Sequence, residues 1–175
     1  MVYTTDYEHA NKAQGNYTRI QISCTKPDYT YNFTAIPELA PAEDMVQGWK
    51  YGEIGRVSFL TNYFIKLNKL GQEVAIRLVN SVLSPFVKEK LKEEGTNIFT
   101  SENWHALLVC WEPADEEQVD TIQKLLEVHS YNFCHRYGTA IWLNEALETK
   151  GFPLVTEWQL APKKKKASRK EKKMR

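Results

Sequence analysis

Two apolar periodicities follow one another along this chain, and their order limits the folds open to it. Between Tyr17 and Ile36 apolar residues alternate with polar ones: Ile20, Ile22 and Cys24 first, then Tyr29, Tyr31, Phe33 and Ala35. Period-two alternation marks half-buried strands. Lys26-Pro27-Asp28 lies between the two runs, where proline presets φ and aspartate caps a reversal, so the pair predicts a β-hairpin. From Ile54 the spacing changes to three and four: Ile54, Val57, Leu60, Phe64 and Leu67 share one helical face, and Gly71 supplies a stop. The same stretch also alternates from Val57 to Leu67, but the closing Asn68-Lys69-Leu70-Gly71 favours the helix. Residues 72–83 repeat the helical pattern. Ser84, Pro85 and Gly95 then punctuate a further helix over 84–95, as N-cap, first-turn residue and terminator.

Later segments extend the helical run. Residues 100–113 form a short apolar stretch that fits a helix or a buried strand. Pro113 followed by Asp115, Glu116 and Glu117 suits a helix N-terminus, where the dipole favours negative charge. Val119, Ile122, Leu126, Phe133 and Tyr137 mark the apolar face of that helix, with Gly138 as a stop or kink and further helix to Gly151. Residues 152–160 predict a closing strand able to pair with the early hairpin. Strands first and helices afterwards do not match an alternating βαβ wind. The predicted fold is therefore α+β: one helix-rich domain over 16–161 with a small antiparallel sheet, a mobile arm over 1–15, and a disordered basic tail over 162–175. The 175 residues suffice for one core.

Charge is distributed as unevenly as pattern. The chain has 23 basic and 22 acidic residues; setting aside the nine basic and one acidic of residues 162–175 leaves 14 and 21 in the body. An acidic globule thus carries a cationic tail. Lys163, Lys164, Lys165, Lys166, Arg169, Lys170, Lys172, Lys173 and Arg175 cannot bury apolar surface, and they attract polyanions by displacing condensed counterions without reading sequence. The run also has the form of a nuclear-import cluster. No stretch of 18 apolar residues supports a membrane span, and the polar first 15 residues lack the pattern of a signal peptide. Cys24, Cys110 and Cys134, an odd and low number, suit free thiols in a reducing interior, with small buried apolar residues as their default role. The triplets at Asn16 and Asn32 that match a glycosylation acceptor are then chance.

Reactive constellations are sparse. His105, Cys110, His129, Cys134 and His135 are the only candidate soft-metal ligands that cluster, at H-x4-C spacing. If these segments are helices, residues five apart diverge by about 140° and adjacent residues diverge too, so neither chelation nor a Cys–His dyad arises from one helix face. No phosphate-binding glycine loop and no nucleophile elbow is present. Tyr29, Tyr31 and Phe33 could stack bases, but only Arg19 and Lys26 lie beside them, and aromatic faces of this kind usually pack inward. On sequence alone the chain is a non-enzymatic accessory of an intracellular nucleic-acid process, with no cofactor and no membrane contact. Its helical body would dock on a protein partner, and its tail would supply nonspecific nucleic-acid contact or nuclear targeting; in a cell without a nucleus it would be cytoplasmic. A Cys/His-based metal protein or enzyme and a structural subunit of an assembly are the alternatives.

Overall fold

In a computed structural model of the chain, residues 1–28, 32–111 and 134–158 are described, Arg56 by its backbone only. Elements occur in the order β1 (Val2–Asp6), α1 (Tyr7–Lys12), β2 (Tyr17–Gln21), β3 (Thr34–Ala35), α2 (Glu43–Lys50), α3 (Arg56–Leu70), α4 (Gln72–Ser81), α5 (Pro85–Glu93), β4 (His105–Cys110), α6 (His135–Thr149) and β5 (Thr156–Glu157), with a 3-10 turn at Pro37–Leu39. The strands form one sheet in the order β3-β2-β4-β1-β5, and every pairing is parallel. This is an α/β fold, not the α+β arrangement with an antiparallel sheet that segment order predicts.

Three expectations fail for one reason: pairing partners are distant in sequence. The two alternating runs do not form a hairpin. β2 and β3 run parallel, with Ile20 opposite Thr34, and the other neighbour of β2 is β4, with Tyr17 opposite His105 and Gln21 opposite Val109. The stretch expected to be a mobile arm supplies β1, which lies between β4 and β5 with Asp6 opposite Cys110. The closing strand is real but short, and it pairs with β1 rather than with β2 or β3 of the expected hairpin. β1 does not read as a strand because three of its four buried positions, Thr4, Thr5 and Asp6, are polar. Thr4 donates to Glu157 at 2.6 Å, and Asp6 caps α1 through the His9 amide at 2.9 Å.

The short apolar stretch is a strand because both of its faces are covered. Ala106, Leu108 and Cys110 enter the main core with Ile20, Ile22, Tyr63 and Leu143, while Leu107 and Val109 pack on the other side under Tyr7, Ala10 and Ala13 of and beside α1. A strand buried on both faces reads as a continuous apolar run. The first turns of helix α6 are likewise covered all round, between β1 and β4 and the helices α3 and α4, so residues 135–140 are all buried and show no single apolar stripe, while Glu145 and Glu148 are exposed further on. Gly138 lies inside it, buried, and does not stop it.

Helical punctuation over 56–95 agrees with the sequence. Gly71 at φ 83° separates α3 from α4 and returns its amide to the Leu67 carbonyl. Ser84 accepts from the Val87 amide at 3.2 Å to start α5, and Gly95 at φ 66° follows its end. Among the described residues no helix is long and apolar enough to cross a membrane.

Candidate metal centre at the carboxyl end of the sheet

In parallel α/β sheets, ligands bind outside the carboxyl ends of the strands, where neighbouring strands send the chain in opposite directions. β2 and β4 meet that condition. They lie side by side, yet the next strand after β2 is β3 on one flank, and the next after β4 is β5 on the other. A cavity of about 100 Å³ opens at this point, lined by Ser23, Cys24 and Thr25 after β2, by Cys110 and Trp111 at the end of β4, and by His135 at the start of α6.

Cys110, Cys134 and His135 converge here. One sulfur or nitrogen atom of each lies within 4.8 Å of the others, and all three residues are buried. The Cys110 Sγ is 3.5 Å from His135 Nδ1, and the Cys134 Sγ is 3.8 Å from it. His135 Nε2 lies 2.6 Å from the Ile22 carbonyl oxygen. A carbonyl can only accept, so Nε2 carries a proton; Nδ1 faces the two sulfurs, donating to a thiolate when the ring is protonated and offering its lone pair when the ring is neutral. The ring is held edge-on against Tyr63, centroids 5.5 Å apart. Tyr63 in turn donates to the Leu39 carbonyl at 2.5 Å and meets Thr139 at 2.7 Å. Burial pushes the Tyr63 phenol far above its ordinary value, so it stays a neutral post.

Chelation fails only if all these residues sit on helix faces. They do not. Cys110 ends a strand, and Cys134 is the N-cap of α6, with extended backbone at φ −84° and ψ 142°. Only His135 has entered the helix. An N-cap residue is not bound by the helical spacing of 100° per residue, so it and its neighbour can aim at one point. The two remaining candidates do not join them. His105 starts β4, at the opposite end of the strand, where it packs against Tyr3 and Tyr17. His129 lies outside the described residues, as do Tyr29, Tyr31 and all nine basic residues of 163–175. Of the other residues weighed for nucleic-acid contact, Phe33 packs on Tyr7 in the second core cluster, and Arg19 donates to the Ala10 and Ala13 carbonyls at the end of α1. Cys24, the third thiol, is exposed and donates to the Pro41 carbonyl at 2.8 Å.

Electrostatics favour a thiolate. Burial would push the Cys134 thiol up, but the hydrogen bond from Cys110 and the nearby His135 and Arg136 together hold it well below the ordinary thiol range. The amino end of a 15-residue helix acts in the same direction. Arg136 is completely buried. Its Nη2 donates to Glu157 Oε1 at 3.1 Å and to the Tyr137 hydroxyl at 2.5 Å. Burial alone would lower its pKa, but Cys134 and Glu157 more than offset this and raise it, so the guanidinium stays charged.

The Cys134 shift predicts a pH dependence. An unfolded thiol titrates near 8.5, roughly, and the folded one titrates lower, so between the two values the unfolded chain binds the extra proton. Stability linked to this thiolate is complete above about pH 8.5 and declines as pH falls, by at most about 1.4 kcal/mol per unit. Urea midpoints of metal-free protein should therefore drop from pH 8.5 to 6.5 more steeply in the native chain than in Cys134→Ser. Parallel curves would show that Cys134 is not ionised in the fold.

Comparisons with known proteins leave the geometry to stand alone: no family model, no curated protein and no solved structure matches this chain.

Proposed function

We propose that this chain is a zinc-dependent enzyme acting on a small molecule in the crevice between β2 and β4. The observation that carries the reading is the spacing of its donor atoms. Tetrahedral zinc with Zn–S near 2.3 Å and Zn–N near 2.0 Å places sulfur and nitrogen ligands roughly 3.6 Å apart. The two sulfur–nitrogen distances here are 3.5 and 3.8 Å. His135 also has the outer partner typical of a metal-ligating histidine, a backbone carbonyl that fixes the tautomer and ring plane. Two thiolates and a neutral imidazole balance a divalent cation, which lowers the cost of holding charge in a buried place.

Structural zinc sites are closed by four protein ligands, whereas catalytic ones keep a position open. Among the described residues the cluster offers three, and two of them, Cys110 and His135, line the cavity. Zinc in such a site polarises a bound carbonyl or lowers the pKa of a bound water. The chain's own residues supply the rest: Ile22 and Tyr63 orient the imidazole, and Arg136 with the α6 amino end keeps Cys134 ionised. Free thiols of this kind persist in a reducing compartment, and an intracellular location belongs to the same proposal. Nonspecific polyanion contact through residues 163–175 is a separate proposal that rests on the sequence.

Metal content of the purified full chain is the test. The native protein should carry close to one zinc per chain, and Cys110→Ser or Cys134→Ser should carry almost none. Cobalt substitution should give thiolate charge-transfer absorption that both variants lose. Substoichiometric metal with no such band would leave the second reading, in which His135 Nδ1 takes the proton of Cys110 and that thiolate is the nucleophile. The 3.5 Å contact and the position of Cys110 on the cavity wall favour it. Selective alkylation of Cys110 at neutral pH, lost in His135→Gln, would then identify it.

A further inference from the structure

We infer that the cavity in front of this centre takes a single uncharged, flat ring, so that the molecule bound there is a neutral aromatic or heteroaromatic compound rather than a phosphate- or carboxylate-bearing one. The inference rests on the metal-centre reading only for the direction in which the ligand points.

Charge comes first. None of the described residues lining the cavity is ionic: besides Cys110 and His135 they are Ser23, Cys24, Thr25, Pro41, Val46, Trp49, Phe59, Leu60 and Trp111. The polar groups of Ser23, Cys24, Thr25 and Trp111 are already engaged with the protein. The Ser23 hydroxyl lies 2.7 Å from that of Tyr7 and donates to the Thr25 carbonyl at 2.6 Å. The Trp111 indole donates to the carbonyl and the hydroxyl oxygen of Thr25, both at 2.9 Å, and the Cys24 thiol donates to Pro41. An anion entering here would shed water and meet no cationic side chain, and a divalent ion held by two thiolates is already charge-balanced, so its burial is costly.

Shape and size come next. Trp49 and Trp111 both line the cavity and are about half exposed, so they stand at its mouth. Each is held by its neighbours. Trp111 is pinned by Thr25 and by the edge of Tyr7, centroids 5.4 Å apart, and Trp49 leans on Phe59 at 5.8 Å. Braced aromatic walls favour a flat π-system, which gains from stacked or edge-on contact beyond simple burial. A cavity of about 150 Å³ holds one benzene. The volume here, about 100 Å³ and partly open, is smaller than that, so no more than one ring fits, part of it and any further substituent staying outside. With Cys110 and His135 at the inner wall, the ligand's reactive oxygen or nitrogen leads and the ring follows between the aromatic side chains.

Three probes of similar size separate these claims: benzamide (flat, neutral), benzoate (flat, anionic) and cyclohexanecarboxamide (neutral, puckered). Each is titrated into zinc-loaded and chelator-treated full-length protein, followed by tryptophan fluorescence and ligand-observed NMR. Benzamide should bind at least tenfold more tightly than either analogue. Trp111→Leu should weaken it about tenfold, and Trp111→Phe should keep most of the affinity, with circular dichroism confirming that both variants fold. Benzoate binding as well as benzamide would overturn the inference, as would equal binding of the puckered amide or no saturable benzamide binding in either metal state. Benzamide binding to a chain that never holds zinc would keep the ring pocket and refute the metal centre. A zinc-loaded chain that ignores benzamide would do the reverse.

Discussion

Arg136→Met should destabilise the protein by about 3–5 kcal/mol, the largest loss expected from any single substitution at this end of the sheet. The guanidinium is fully buried and paired with Glu157, which is itself almost fully buried. Burial already raises the Glu157 carboxyl, and the Arg136 charge and the Thr4 and Arg136 hydrogen bonds pull it back. Methionine fills similar volume but leaves a carboxylate with one hydroxyl partner in an apolar setting, and that uncompensated charge dominates the cost. A double variant, Arg136→Met with Glu157→Gln, should recover more than half of the loss, because no buried charge is then stranded. Urea denaturation of the three chains measures both effects. If the double variant were no more stable than Arg136→Met, the pair would not be the reason Arg136 matters, and lost packing against the Tyr137 ring, 4.4 Å away, would replace it.

The parts of this fold that the sequence discloses are those decided locally. Helices α3, α4 and α5 are bounded by Gly71, Ser84, Pro85 and Gly95, whose effects reach only a few residues. Strand pairing is decided elsewhere. Alternation at Ile20 and Ile22 is the same whether the neighbour is an antiparallel hairpin strand or the parallel β4, and that partner arrives more than eighty residues later. β1 is hidden further, because Thr4 and Asp6 are buried in a strand that reads as polar, and the group that satisfies Thr4 is Glu157 near the other end of the chain. The site fell between these cases. Its residues are all in view, but the sequence runs a helix through Cys134 and leaves the stretch around Cys110 open between helix and strand. Two local signals point the other way: a cysteine closing the buried run His105–Cys110, where parallel sheets place ligands, and a Cys-His pair just before a helix begins.

Zinc should raise the thermal midpoint of the full chain by roughly 10 °C, and Cys134→Ser should erase that rise. A ligand that binds only the folded state adds about 4 kcal/mol when its free concentration is a thousand times Kd. In a chain of this length each kcal/mol moves the midpoint by about 2–4 °C. The effect depends on three donors arriving together, since removing one leaves two ligands and, in the serine variant, a hydroxyl too weakly acidic to replace a thiolate. Cys24→Ser supplies the contrast. Cys24 lines the same cavity but is tied to the Pro41 carbonyl and lies outside the three-residue cluster, so the zinc-induced rise should survive in that variant. Scanning calorimetry with and without chelator reads all three chains at once. Loss of the rise in Cys24→Ser but not in Cys134→Ser would place the metal on the wrong side of the cavity and invert the assignment of its ligands.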